Sequence, residues 1–121
     1  MHRTPVYREC VLIMTTPPEK PAPPVPCRDL DEVRANIDRL DVEIVRLMAE
    51  RSFYVGDAAR FKPSREGVVD RARIEDIIAH MREWAEEIGL APEIAEATFR
   101  RMIDGFIEFE KDEFDRIHEK D

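Results

Sequence analysis

From Leu30 to Lys62 the chain runs without a proline, and its apolar residues fall at Leu30, Val33, Ile37, Leu40, Ile44 and Leu47. The alternating steps of three and four form a heptad seam, the pattern of a helix that lays one stripe against another helix. Asp29 stands where an N-cap belongs, and Asp31 and Glu32 put negative charge in the first turn, where the helix dipole favours it. Pro63 stops the pattern. A helix is therefore expected from about Asp29 to Phe61 or Lys62. Its roughly 33 residues make a rod of about 50 Å, far longer than a domain of under about 100 residues is wide. One chain has too little else to cover such a seam. The rod is expected to pack against a second copy of itself, as an intertwined helical homodimer.

The rest of the chain is divided just as clearly. Seven of the nine prolines precede residue 27, and the run from Thr15 to Pro26 cannot sustain a helix or a central strand. Residues 1–27 read as a proline-rich, disordered lead-in, and residues 28–121 as the folded helical domain. Beyond Pro63 and the loop Ser64–Gly67, a second helix is expected from near Asp70 to Ile88. Its apolar face is Ile74, Ile77, Ile78, Met81, Trp84, Ala85 and Ile88. Gly89 is placed as the residue just past a helix end, and Pro92 as the first residue of a third helix. That helix carries Ile94, Thr98, Phe99, Met102, Ile103, Phe106, Ile107, Phe114 and Ile117. No strand pattern is present. The fold class is all-α, a three-helix protomer with one very long first helix.

Composition excludes several functions. A net charge of -8 gives no electrostatic encouragement to bind nucleic acid or an anionic membrane. The apolar run Cys10–Met14 is too short for a signal sequence or a membrane span. Cys10 and Cys27 have no metal-ligand spacing and read as free thiols in a reducing cytoplasm; His2, His80 and His118 are scattered, so no metal is expected.

Chemistry is signalled by charges in the wrong place. One heptad beyond Ile44 the seam lands on Arg51. A guanidinium in an apolar stripe carries a desolvation cost unless an anion meets it. It is either half of a buried Arg–Glu pair or part of an anion-binding pocket between helices. Lys62 follows eleven residues later, close to three whole turns, so it points to the same side at an axial distance of about 16 Å. Two such side chains can grip opposite ends of a small dianion. Arg34 borders the seam about 25 Å before Arg51, too far to share a ligand within one chain but within reach of the partner's ligand in an antiparallel dimer. Asp70 and Arg73, in the first turn of the second helix, read either as ordinary capping with a solvated arginine or as site groups. Glu110 lies on the seam of the third helix, four after Phe106 and seven after Ile103. It is either a snorkelling surface acid or a pocket group.

The segment Leu30–Lys62 resembles the first helix of the all-helical chorismate mutases. The resemblance is carried by Arg34 followed by Ile37–Asp38, then Leu40–Asp41, Ala49–Glu50–Arg51 and Lys62. Val69, Asp70 and Arg73 resemble the next motif, and the third helix aligns through Phe99 and Ile103 to Glu110. The resemblance implies a cofactor-free enzyme that converts chorismate to prephenate. Arg51 and the partner's Arg34 would bind the two carboxylates, and Lys62 a carboxylate and the ether oxygen. Asp70 would contact the ring hydroxyl, and Arg73 would support the carboxylate region. Glu110 would donate a hydrogen bond to the ether oxygen at a position that is often glutamine. A carboxylate has no proton to donate, so catalysis is expected to be stronger at mildly acidic pH. The related isochorismate pyruvate lyases share the fold. Arg60–Phe61–Lys62 and Trp84–Ala85–Glu86–Glu87 with Gly89–Leu90 are similar to that branch, whereas Glu110 departs from its glutamine. A third possibility is a non-catalytic helical dimer serving as an interaction module.

Overall fold

The computed structural model describes residues 16–119, so Cys10, His2 and the run Cys10–Met14 lie outside the described residues. Residues 16–27 form neither helix nor strand and are exposed. Three α-helices follow: α1 (Leu30–Ala58), α2 (Arg71–Ile88) and α3 (Pro92–His118). Short 3-10 turns occupy Ala59–Phe61 and Glu66–Val68, and no strand occurs among the described residues.

The ends of α1 show why it begins and stops where it does. The Asp29 carboxylate accepts the Glu32 backbone N–H at 2.9 Å, satisfying one of the helix's unpaired donors. Glu32 in turn accepts the backbone N–H of Arg28 at 2.9 Å and its Nε at 2.7 Å. These bonds hold the Glu32 carboxyl below its ordinary range. At the other end the helix is shorter than expected: its last turn tightens to 3-10 over Ala59–Phe61. Lys62 is extended, with φ -86° and ψ 142°, as the residue before a proline must be. The Ser64–Gly67 loop is likewise tighter than an open loop, because Ser64 accepts the Gly67 N–H through both Oγ and its carbonyl at 3.1 Å.

The turn between α2 and α3 closes with the Gly89 N–H bonded to the Glu86 carbonyl at 3.3 Å and the Leu90 N–H to the Ala85 carbonyl at 2.8 Å. This double closure requires a left-handed residue, and Gly89 supplies it at φ 96°. Pro92 is the first residue of α3, where its missing N–H costs nothing. Gly105 lies within α3 without interrupting it.

The chain divides into two compact units. One includes Arg71–Arg101. Ile78 and Ala85, seven apart on one face of α2, are buried there, as is Ala95. Ile94, expected on the apolar face of α3, is exposed instead. Ala95 is in phase with Phe99 and Ile103, at steps of four, and Ile94 is a hundred degrees off that stripe. Arg100 bonds Glu75 at 2.9 Å and Glu96 at 2.7 Å, and Glu96 also accepts from Arg82 at 2.8 Å.

The other unit includes Ala22–Asp70 and α3 from Met102 onward. Ala59, Val68, Ile103 and Glu110 are buried in it. No residue of α1 is buried. Its seam stands in the open: Ile37 is 50% exposed, Ile44 52% and Leu47 54%. No helix among the described residues is long and apolar enough to cross a membrane.

Candidate active site

The groups singled out in the sequence meet on α3. Glu110 follows Ile103 by seven residues, two turns along the buried stripe, and it is only 7% exposed. That rules out a snorkelling surface acid. Its Oε2 accepts from the Lys62 Nζ at 2.8 Å, and the Lys62 side chain is itself 27% exposed. Pro63 is what delivers the lysine: by forcing Lys62 out of helical geometry, it turns the side chain off the α1 spiral. Arg65, three residues on, bonds Asp115 of α3 at 3.0 Å, so the loop is tied down on both sides of Pro63.

Arg51, the seam arginine, is half-buried, and its guanidinium carbon lies 4.7 Å from the centre of the Phe106 ring. Phe106 and Glu110 are four residues apart, which places them one above the other on α3 with Cβ atoms about 5–6 Å apart. The two cations brought by α1 and the following loop thus meet side chains on adjacent turns of one helix. The arrangement is suited to a dianion. A guanidinium can take a carboxylate through two parallel N–H bonds, and an ammonium is a compact charge able to face a second oxygen. In the absence of a ligand Glu110 supplies the negative charge that a buried ammonium requires.

The other expected residues are placed as follows. Arg34 is exposed on α1. Its seventeen-residue separation from Arg51 along a continuous helix is about 25 Å, so one chain does not bring the two together. Asp70 is exposed and immediately precedes α2. Arg73 is exposed in the first turn of α2 and belongs to the unit of Arg71–Arg101. Phe106 was legible in the sequence only as a core position of α3; its place one turn before Glu110 was the available signal.

A separate groove of about 470 Å³ runs past Phe53, Gly56, Arg60, Phe109 and Arg116. Its arginines are engaged locally, Arg60 by Asp57 at 2.8 Å and Arg116 by Glu113 at 2.8 Å. It contains none of the expected ligands.

The family model for chorismate mutase type II matches residues 33–111. The match opens one residue before Arg34 and closes one after Glu110, so all six expected site residues lie inside it. Among curated proteins, the isochorismate pyruvate lyase of Pseudomonas aeruginosa is 34% identical over 84 residues, an alignment that takes in 69% of this chain and 83% of that one.

Proposed function

The chain belongs to the chorismate mutase type II family, and on that premise we propose that it rearranges chorismate to prephenate. The observation that carries this reading is the buried Lys62–Glu110 pair, held on α3 one turn from the ring that meets Arg51. The reaction is an internal shift of an enolpyruvyl arm: a C–O bond breaks as a C–C bond forms, so no nucleophile is required. The protein has two tasks. It must hold the arm over the ring, which is catalysis by orientation, and it must stabilise charge developing on the ether oxygen.

Arg51 takes one carboxylate, and Lys62 faces a carboxylate and the ether oxygen. Asp70, at the end of the loop that Lys62 opens, contacts the ring hydroxyl. Glu110 releases Lys62 to the substrate and, once protonated, donates to the ether oxygen. The second carboxylate falls to the partner's Arg34. The exposed seam of α1 supports this part of the reading, because a second copy laid along it in the opposite sense covers the apolar stripe and carries its arginine toward the site.

A second reading has its own support. The relative named isochorismate pyruvate lyase is 34% identical, and that activity breaks the same kind of ether, giving salicylate and pyruvate. The experiment offers chorismate and isochorismate separately at about pH 5 and about pH 7.5 and identifies the products. Prephenate from chorismate, formed faster at the lower pH, is the expected result. The pH step should vanish in Glu110→Gln, because an amide donates at either pH. Salicylate as the dominant product moves the chain to the lyase reading. No turnover of either substrate overturns both.

A further inference from the structure

We propose that Phe106 is a positioning residue for the carboxylate-binding arginine, its ring holding the Arg51 guanidinium in the orientation that receives the substrate. The inference rests on the assignment of Arg51 as a substrate ligand. The guanidinium carbon lies 4.7 Å from the ring centre, inside the distance of about 6 Å at which a cation is attracted to a ring face. Arginine is a long, rotamer-rich side chain, and an unsupported one loses that freedom each time a ligand binds. A ring adds support of a particular kind. It carries no net charge, so this contact does not itself compete with a substrate carboxylate, as the Glu110 contact to Lys62 does.

The ring is itself braced. Phe109 meets it edge-on, with centroids 6.1 Å apart and planes at 89°. Phe109 in turn lies against α1 at Gly56, where a Cβ would sit 3.5 Å from its ring. The path from α1 to Phe109, to Phe106 and back to Arg51 is a closed circuit of contacts around one side chain. The position one turn before Glu110 gives α3 two jobs on one face, holding Arg51 with a ring and Lys62 with an acid.

The test separates the ring's electrons from its bulk. Phe106→Leu keeps an apolar side chain of similar reach but removes the ring face; Phe106→Tyr keeps the face. KM for chorismate should rise about tenfold in the leucine variant with little change in kcat, and should stay within about twofold of wild type in the tyrosine variant. In an Arg51→Lys background the leucine substitution should add little further, since both changes remove one coupled contact. Should leucine impair folding, stepwise fluorination of the phenylalanine at 106 drains the ring face while nearly preserving shape, and log KM should climb with each fluorine. Where turnover is too weak, the calorimetric Kd for chorismate takes the place of KM. A KM indifferent to leucine and to fluorination overturns the role of Phe106 while Arg51→Gln still weakens binding. If Arg51→Gln binds chorismate as wild type does, the assignment of Arg51 falls first, and this inference with it.

Discussion

The two ends of α1 are built alike and end up in different surroundings. From Leu30 to Glu50 the helix repeats a regular apolar seam, yet nearly every residue of it is exposed and none is buried. From Arg51 onward the pattern is interrupted by charge and glycine, yet this is where the chain closes on itself. Arg51 meets Phe106, Gly56 approaches Phe109, Lys62 pairs with Glu110 and Arg65 with Asp115. The better hydrophobic pattern is thus the one left uncovered, and the poorer one is satisfied by specific polar and aromatic contacts. Apolar stripes of this length are stabilising only when another surface removes them from water. The front of α1 is written for a partner, and its far end for chemistry.

The largest effect is predicted at the front. Ile44→Asp puts a charge in the middle of the seam. It should convert a dimer in sedimentation equilibrium to monomer and remove more than about 99% of activity, since the partner's Arg34 leaves with the interface. An unchanged mass would break the contrast between the two ends. At the far end, Lys62→Met should cost about a hundredfold or more in kcat. It should also destabilise the fold by about 2 kcal/mol, less than for a fully buried pair, because Glu110 is left without its ammonium. Adding Glu110→Gln should restore the stability and not the rate, which would sharpen the division between what this pair does for the fold and what it does for the reaction.

Smaller effects belong to the part that is finished within one chain. Gly89→Ala should cost about 1 kcal/mol in denaturant unfolding, because φ 96° suits only glycine. Smallest is the acid response of the α2–α3 ion pairs. The Arg100 hydrogen bonds depress the carboxyls of Glu75 and of Glu96, the latter with help from Arg82, below their ordinary 4.5. A depressed acid lends stability that is present above its unfolded value and lost as pH falls through the folded one. The melting temperature should therefore decline only below about pH 4.5, leaving the rise in activity expected near pH 5 undisturbed.

Much of this was legible in the residues because the signals were local. Asp29, Gly89 and Pro92 mark helix ends by the conformation or hydrogen bond each alone supplies, and all three stand where expected. Glu110 was legible as an anomaly because a charge on an apolar stripe is conspicuous. What escaped were features with weak or shared signals. The tightening at Ala59–Phe61 follows from Pro63 acting backward on Lys62, an effect visible only if the proline is read as restraining its predecessor. Ala95 was passed over for Ile94 because hydrophobic weight outvoted helical phase. Phe106 looked like any core phenylalanine, since the contact that sets it apart joins residues fifty-five positions apart.

The central claim is that each site is completed by a second chain, and complementation tests it most directly. Arg34→Ala and Lys62→Ala are each expected to be inactive alone. Folded together in equal amounts, they form mixed dimers in which one site has the intact Lys62 of one chain and the intact Arg34 of the other. Random pairing should return about a quarter of wild-type activity. A mixture no more active than its components would contradict the shared site and confine the chemistry to a single chain.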